Sequence, residues 1–326
     1  MRRKTLFCFG LVLLIFVAPA QRSKPLPVIF DSDMGPDYDD VGAITLLHAF
    51  ADSGYVDILG TVASTKYEGV AAVFDVFNTY FKRPGVLIGV PRGRALALKD
   101  KQHWTDTLIS KYPHKIKRND EVLSSVEVYR KALASQADKS VTIITVGFLT
   151  NLNDLLLSAP DKYSPLNGRE LVKRKVRQLV CMAGSFPEGN EFNVRMDAVS
   201  SKYVFNNWPT SIVLSGVEIG KKIKSGLPLI HNEAIQNSPV KDVFRISVPL
   251  SAEDSAGRMS WDQTAVLIAV KGYKPWWDIK KGSMLVADDG SNKWRNDDSD
   301  HAYIVEKIPV PVIAGLINKL MMHQPG

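Results

Sequence analysis

Short apolar runs and helical periodicities alternate along this chain, with turn residues between them. Pro27, Val28, Ile29 and Phe30 read as a buried strand, and Met34-Gly35-Pro36 punctuates the chain after it. A helix is expected next, with Asp37 as N-cap, Asp40 imitating a capping box, and Val41, Ile44, Leu46, Leu47 and Phe50 on its apolar face. The same alternation continues with a strand over 56–62 that ends in Ala63-Ser64-Thr65, a helix over 70–81 and a strand over 86–90. From 91 to 118 the pattern fades into a polar, basic stretch containing Trp104, read as a long loop with short helical pieces, of the kind that often serves as a lid or binding element.

Beyond that loop the spacing predicts helices over 122–137 and 168–174, and strands over 141–146 and 176–183. A polar loop, 185–193, precedes a helix from about 197 to 207 and a short strand at 211–214. Helical patterns recur at 230–244, 262–270 and 308–322, and 282–305 reads as a small antiparallel excursion around Asp288-Asp289-Gly290. The expected fold is therefore a single α/β domain with an open, mostly parallel central sheet flanked by helices. Ligands of such sheets bind beyond the carboxyl ends of the strands. The polar residues found there, at Asp31 and Asp33, Ser64-Thr65, Val146-Gly147 and Asn190 to Asn193, are expected to face one pocket.

Five aspartates, Asp31, Asp33, Asp37, Asp39 and Asp40, crowd the first strand-helix junction. Turns and helix starts explain Asp37 and one neighbour, but two carboxylates at the end of a buried strand repel each other and lose hydration. A hard divalent cation held by several carboxylates removes that cost, so the junction is read as a metal site.

Composition narrows the setting. The 326 residues are 45% hydrophobic and 23% charged, ordinary for a globular domain with ample core. Residues 1–20 read as a cleavable secretory signal peptide, with Arg2, Arg3 and Lys4 ahead of an apolar run and Ala18-Pro19-Ala20 at the cleavage point, which leaves a mature domain of 21–326, secreted or periplasmic and with no stable membrane insertion. Losing those three basic residues lowers Lys+Arg from 41 to 38 against 34 acidic residues, and the net charge from +7 to +4, too mild an excess to argue for nucleic acid. Cys181 then stands alone in an apolar run and reads as a buried structural thiol.

Taken together, the motifs resemble those of the calcium-dependent, inosine-uridine preferring nucleoside hydrolases over nearly the whole mature chain. The resemblance rests on Asp31, Asp33, Asp39 and Asp40 at the first junction, Val146 to Asn151 (VGFLTN), Glu191-Phe192-Asn193 with Asp197 soon after, and Trp261 to Val266 (WDQTAV). The first motif carries two residues more between its second and third aspartates than the commonest form. The resemblance implies a Ca2+ ion held by Asp33, Asp40, the Val146 carbonyl and Asp262, with Asp33 also the base that activates a water. It further implies that Asp39, Asn190, Glu191 and Asn193 bind the ribose of a small nucleoside substrate, which is cleaved to ribose and free base. A homo-oligomer is expected.

Trp261 stands where many members have a histidine that assists the leaving base, and it resembles the purine-preferring branch, in which stacking takes that role. Trp104 reads first as a buried or surface aromatic, with the second wall of such a stack as the alternative. Two other readings stay open: a member with lost or altered activity on another ribosyl compound, and a phosphatase of the haloacid dehalogenase type, whose opening is also strand-D-x-D.

Overall fold

In a computed structural model that describes residues 24–326, nine strands among the described residues form one sheet. Next to its middle strand runs Leu26–Ser32, paired in parallel with Val56–Ala63 on one side and with the middle strand, Val141–Thr145, on the other. Val176–Met182 and Ser211–Ser215 extend the sheet in parallel beyond Val141–Thr145, and Leu87–Val90 with Leu123–Ser124 extend it beyond Val56–Ala63. Ala302–Glu306 joins Ser211–Ser215 in parallel, and only the edge strand Trp277–Lys281 runs antiparallel.

The continuous apolar runs follow from burial on both faces. Val28 and Phe30 point into one core, with Ile144 and Val180, beneath the helices Asp39–Asp52, Val70–Tyr80, Trp261–Lys271 and Val310–Met321. Ile29 points into the other, with Ile143, Leu179 and Cys181, under Ser125–Ala134, Thr150–Leu157 and Gly168–Lys175. Cys181 is a buried free thiol, as its apolar surroundings imply. The excursion near 290 is a hairpin, Ser283–Val286 with Ser291–Arg295, to which Glu188–Asn190 adds a third antiparallel strand. No helix of the described residues is long and apolar enough to cross a membrane. The signal segment, 1–20, lies outside the described residues.

Several sequence expectations are corrected. The first helix begins at Asp39, its N-cap is Tyr38 without a side-chain cap bond, and Asp37 pairs with Arg258 instead of capping. The 122–137 helix is shorter, Ser125–Ala134, because Ser124 and Glu127 form a capping box that starts it after the short strand Leu123–Ser124. The 91–118 stretch is, as expected, a loop with a short helical piece, Trp104–Lys111, and Trp104 is wholly buried in the core.

One close approach builds the site. A Cβ on Gly42 would overlap the Gln263 amide, so its absence lets the helices Asp39–Asp52 and Trp261–Lys271 touch near their N-termini. Asp39 and Asp40 are thereby brought beside Asp262.

Candidate active site

Beyond the carboxyl ends of the central strands lies a cavity of about 370 Å³. Its wall includes Asp33, Asp39, Asp40, Val146, Asn190, Glu191, Asn193, Trp261 and Asp262, which are all the residues singled out from the sequence for catalysis, sugar binding or the cation. Asp37, Met182, Phe192, Arg195 and Val217 complete it.

Asp33 follows directly on the first strand and is almost fully buried. A Cβ on Gly147 would overlap the Asp33 backbone nitrogen, so the bare Gly147 turn lets this segment pack against the end of Val141–Thr145. Burial, with Asp40 and Asp37 nearby, holds the Asp33 carboxyl well above the usual carboxylate range. Asp40, in the first turn of its helix, accepts a hydrogen bond from Ser32 Oγ at 2.5 Å. Asp262 opens the Trp261–Lys271 helix.

The carboxylate oxygens of Asp39, Asp40 and Asp262 lie within 4.8 Å of one another, and all three residues are buried. Burial and mutual repulsion push Asp40 and Asp262 well up, and burial raises Asp39 to about 6 against the opposing pull of Arg258. Buried carboxylates of like charge without enough cationic partners are costly, and an all-oxygen set of this density fits a hard divalent cation. The donor set therefore matches the metal dependence that the sequence implies. Asp33 shares the cavity but stands outside this triad. The Val146 carbonyl accepts from Asn193 Nδ2 at 3.0 Å.

On the far wall, Glu191 caps the helix Phe192–Met196 by accepting from the Asn193 and Val194 amides at 2.7 and 3.1 Å, and it also takes the Gly184 amide at 3.2 Å. Its carboxylate is therefore rigid, and burial raises its pKa. Asn190, at the end of a three-residue strand, is exposed at the mouth. Trp261 is half-buried, and its indole N–H donates to the Val217 carbonyl at 2.8 Å.

Several residues that the sequence singled out, Asp31 and Ser64-Thr65 among those expected in the pocket, lie away from it. Asp31 accepts from Tyr129 Oη at 2.7 Å and Asn151 Nδ2 at 3.0 Å beneath the site, and burial raises it to about 7. Ser64 accepts the Phe148 amide, and Thr65 donates to the carbonyls of Leu96 and Leu98, so both brace loops instead of facing the cavity. Asp197 is taken up by Thr150, Arg94 and the Ser200 amide. Trp104, buried in the core, does not line the cavity and forms no second wall. Asp288 and Asp289 sit on an exposed turn, where Asp288 pairs with Lys202 and Asp289 accepts from Ser291.

The residue that sequence reasoning missed is Arg258. Its guanidinium is buried and bonds Asp39 Oδ1 through Nε and Nη2 (3.2 and 3.0 Å), while Nη2 also reaches Asp37 at 2.5 Å. The only available signal was a basic residue four positions before Asp262.

The family profile described as inosine-uridine preferring nucleoside hydrolase matches residues 28–308. Among solved structures, the chain is similar to the plant nucleoside hydrolase PpNRh1 at 18% identity and a TM-score of 0.67, with 91% of this chain and 99% of that one covered. It is similar to a purine-preferring ribonucleoside hydrolase from Gardnerella vaginalis at 16% identity and a TM-score of 0.68, with the same coverage. The type III effector protein XopQ, solved with adenosine diphosphate ribose, aligns at 14% identity and a TM-score of 0.63 over 91% of this chain and 92% of that one. At these identities the solved structures speak for the fold alone. No curated protein sequence matches.

Proposed function

Because the chain belongs to the inosine-uridine preferring nucleoside hydrolase family, we propose that it hydrolyses the N-glycosidic bond of ribonucleosides, purine nucleosides preferred, with a calcium ion at the acidic cluster. The observation that carries this reading is the convergence of Asp33, Asp39, Asp40 and Asp262 with Trp261 on one cavity. Asp33, Asp40, Asp262 and the Val146 carbonyl would hold the ion, with Asp39 close enough to share it. Bound there, the ion would supply Lewis acidity to a water and a grip on ribose hydroxyls.

Asp33 takes the proton of the attacking water, from a buried carboxylate on the cavity wall beside Asp40. Asp39 accepts from a ribose hydroxyl while Arg258 holds its other oxygen. Asn190, Glu191 and Asn193 bind the remaining sugar hydroxyls; Glu191 does so from a fixed position, because backbone amides already anchor it. As the bond to the base breaks, the sugar becomes an oxocarbenium-like cation, and the ring of carboxylates stabilises that charge. Trp261 lacks an acidic proton, so its contribution to base departure is the face of its indole.

The test is direct. Purified protein is offered inosine, guanosine, adenosine, uridine, cytidine and p-nitrophenyl phosphate, each with Ca2+ and with EGTA, and free base, reducing sugar and phosphate are measured. Release of base and reducing sugar from purine nucleosides that EGTA abolishes is the expected result. Phosphate release alone would sink the proposal.

One observation favours a second reading, cleavage or binding of a ribosyl compound that carries an anionic group. Arg195 lines the cavity, has no ion pair among the described residues, and lies 6.0 Å from the exposed Phe192 ring. The similar XopQ was solved with adenosine diphosphate ribose. Adding adenosine diphosphate ribose to the same panel separates the two readings.

A further inference from the structure

We propose that Arg258 is a positioning residue that fixes the carboxylate of Asp39 with its edge and the indole of Trp261 with its face. The inference rests on the reading of Trp261 as the wall for the base. The guanidinium is 4% exposed, and its donors are spent on carboxylates: Nε and Nη2 on Asp39, Nη2 on Asp37, and Nη1 at 3.6 Å from Asp254 Oδ2. Asp254 Oδ2 also accepts from Tyr38 Oη at 2.6 Å, which closes the network behind the site. The other oxygen of Asp39 accepts the Asp262 amide at 3.3 Å. Held at both oxygens, Asp39 cannot rotate away from the cavity.

The same guanidinium lies over two rings, with Cζ 5.0 Å from the centroid of Trp261 and 4.9 Å from that of Tyr38. The indole thus has a cation over its ring and is pinned through its N–H by Val217, on the cavity wall where a base would meet it. Only a planar guanidinium does both jobs, because an ammonium is a point donor with no face to stack. Its positive charge also sits among carboxylates that would otherwise pull harder on a divalent cation. Arg258 therefore weakens cation binding while ordering the groups that contact substrate, two effects that separate in a variant.

Arg258→Met and Arg258→Lys in the full chain test this, with calcium titrated calorimetrically and kcat/KM measured for inosine and for uridine. Removing one positive charge should tighten calcium binding by about tenfold in Arg258→Met, whereas Arg258→Lys should bind calcium as wild type does. In both variants kcat/KM for inosine should fall by about tenfold or more, and the inosine-to-uridine ratio should fall with it because the indole loses its backing. The inference is overturned if Arg258→Lys restores the inosine rate and the ratio, since charge alone then suffices. It is overturned equally if the ratio stays at the wild-type value in Arg258→Met, or if calcium affinity drops along with activity, as a merely collapsed site would show. Wild type that cleaves no nucleoside would refute the proposed function instead, and the ratio would then be read from the dissociation constants of the two nucleosides.

Discussion

Replacing Asp40 with asparagine preserves the shape of the side chain and an acceptor for Ser32 Oγ, but removes one of three buried carboxylates whose oxygens lie within 4.8 Å of one another. Two unit charges about 5 Å apart at an effective dielectric constant of about 20 repel by roughly 3 kcal/mol. Arg258 already offsets the charge of Asp39, so the relief comes chiefly from Asp262, and about 3 kcal/mol is its upper bound. The cation-free variant should therefore be the more stable protein, melting up to about 6 °C higher at roughly 2 °C per kcal/mol for a domain of this size. Calcium reverses the order. Loss of a charged oxygen ligand should weaken calcium binding on the order of a hundredfold. At calcium equal to a hundred times the wild-type Kd, wild type gains about 2.7 kcal/mol and Asp40→Asn about 0.4. Scanning calorimetry in EGTA and in CaCl2 reads both effects: a rise of about 5 °C with calcium for wild type, and under about 1 °C for the variant. If calcium raises both melting temperatures alike, or the cation-free variant melts below wild type, these carboxylates do not hold the ion.

Trp261→Ala should lower kcat/KM for inosine by about tenfold to a hundredfold, with less effect on uridine and with calcium content unchanged, because stacking on a base is worth roughly 1–3 kcal/mol; equal inosine hydrolysis by variant and wild type would remove the indole from the reaction. His48 is buried and stacked on Phe81 with centroids 4.6 Å apart, and burial pushes its pKa from 6.5 down to about 3. The unfolded chain thus takes up a proton below pH 6.5 that the folded protein refuses, and folding stability falls from there toward pH 3 by about 1.4 kcal/mol per pH unit. His48→Phe should lose less stability than wild type between pH 6.5 and 4.5, measured by urea melts at each pH, and parallel losses would show that His48 is not the group responsible. The secretory reading of residues 1–20 predicts that the mature protein begins at Gln21 and is found outside the cytoplasm, which N-terminal sequencing of protein from the native host would check; an intact Met1 form in the cytoplasm would contradict it.

How much the sequence disclosed depended on the kind of signal. Strands buried on both faces betray themselves as uninterrupted apolar runs, so Val28 to Phe30 and Ile143-Ile144 were readable directly. Cap signals misled at Asp37, because the same short carboxylates that cap helices also bind arginine, and nothing local separates the two uses. The direction of a side chain past a strand end was equally hidden. Asp31 is the last aspartate inside the strand and faces Tyr129 and Asn151, whereas Asp33 lies beyond Ser32, where the alternation of faces no longer governs. Trp104 proved to be the buried aromatic and not the second wall, a choice that the long polar loop around it left open. Arg258 could not be read at all, since its partner Asp39 lies 219 residues away and only the folded chain brings them together.

The packing of the Asp39–Asp52 helix against the Trp261–Lys271 helix bears on the assembly of the site as well as on its spacing. Asp39 and Asp262 are separated by 223 residues of chain, yet they meet across two helices that the missing methyl group allows to touch. A nascent or truncated chain that ends before the Trp261–Lys271 helix therefore carries only two of the three clustered carboxylates. On the proposed function, the full set of ligands for the ion would form only once that helix has docked. An ion held there would link the beginning and the end of the chain, so that its release would loosen the docking of the C-terminal helices.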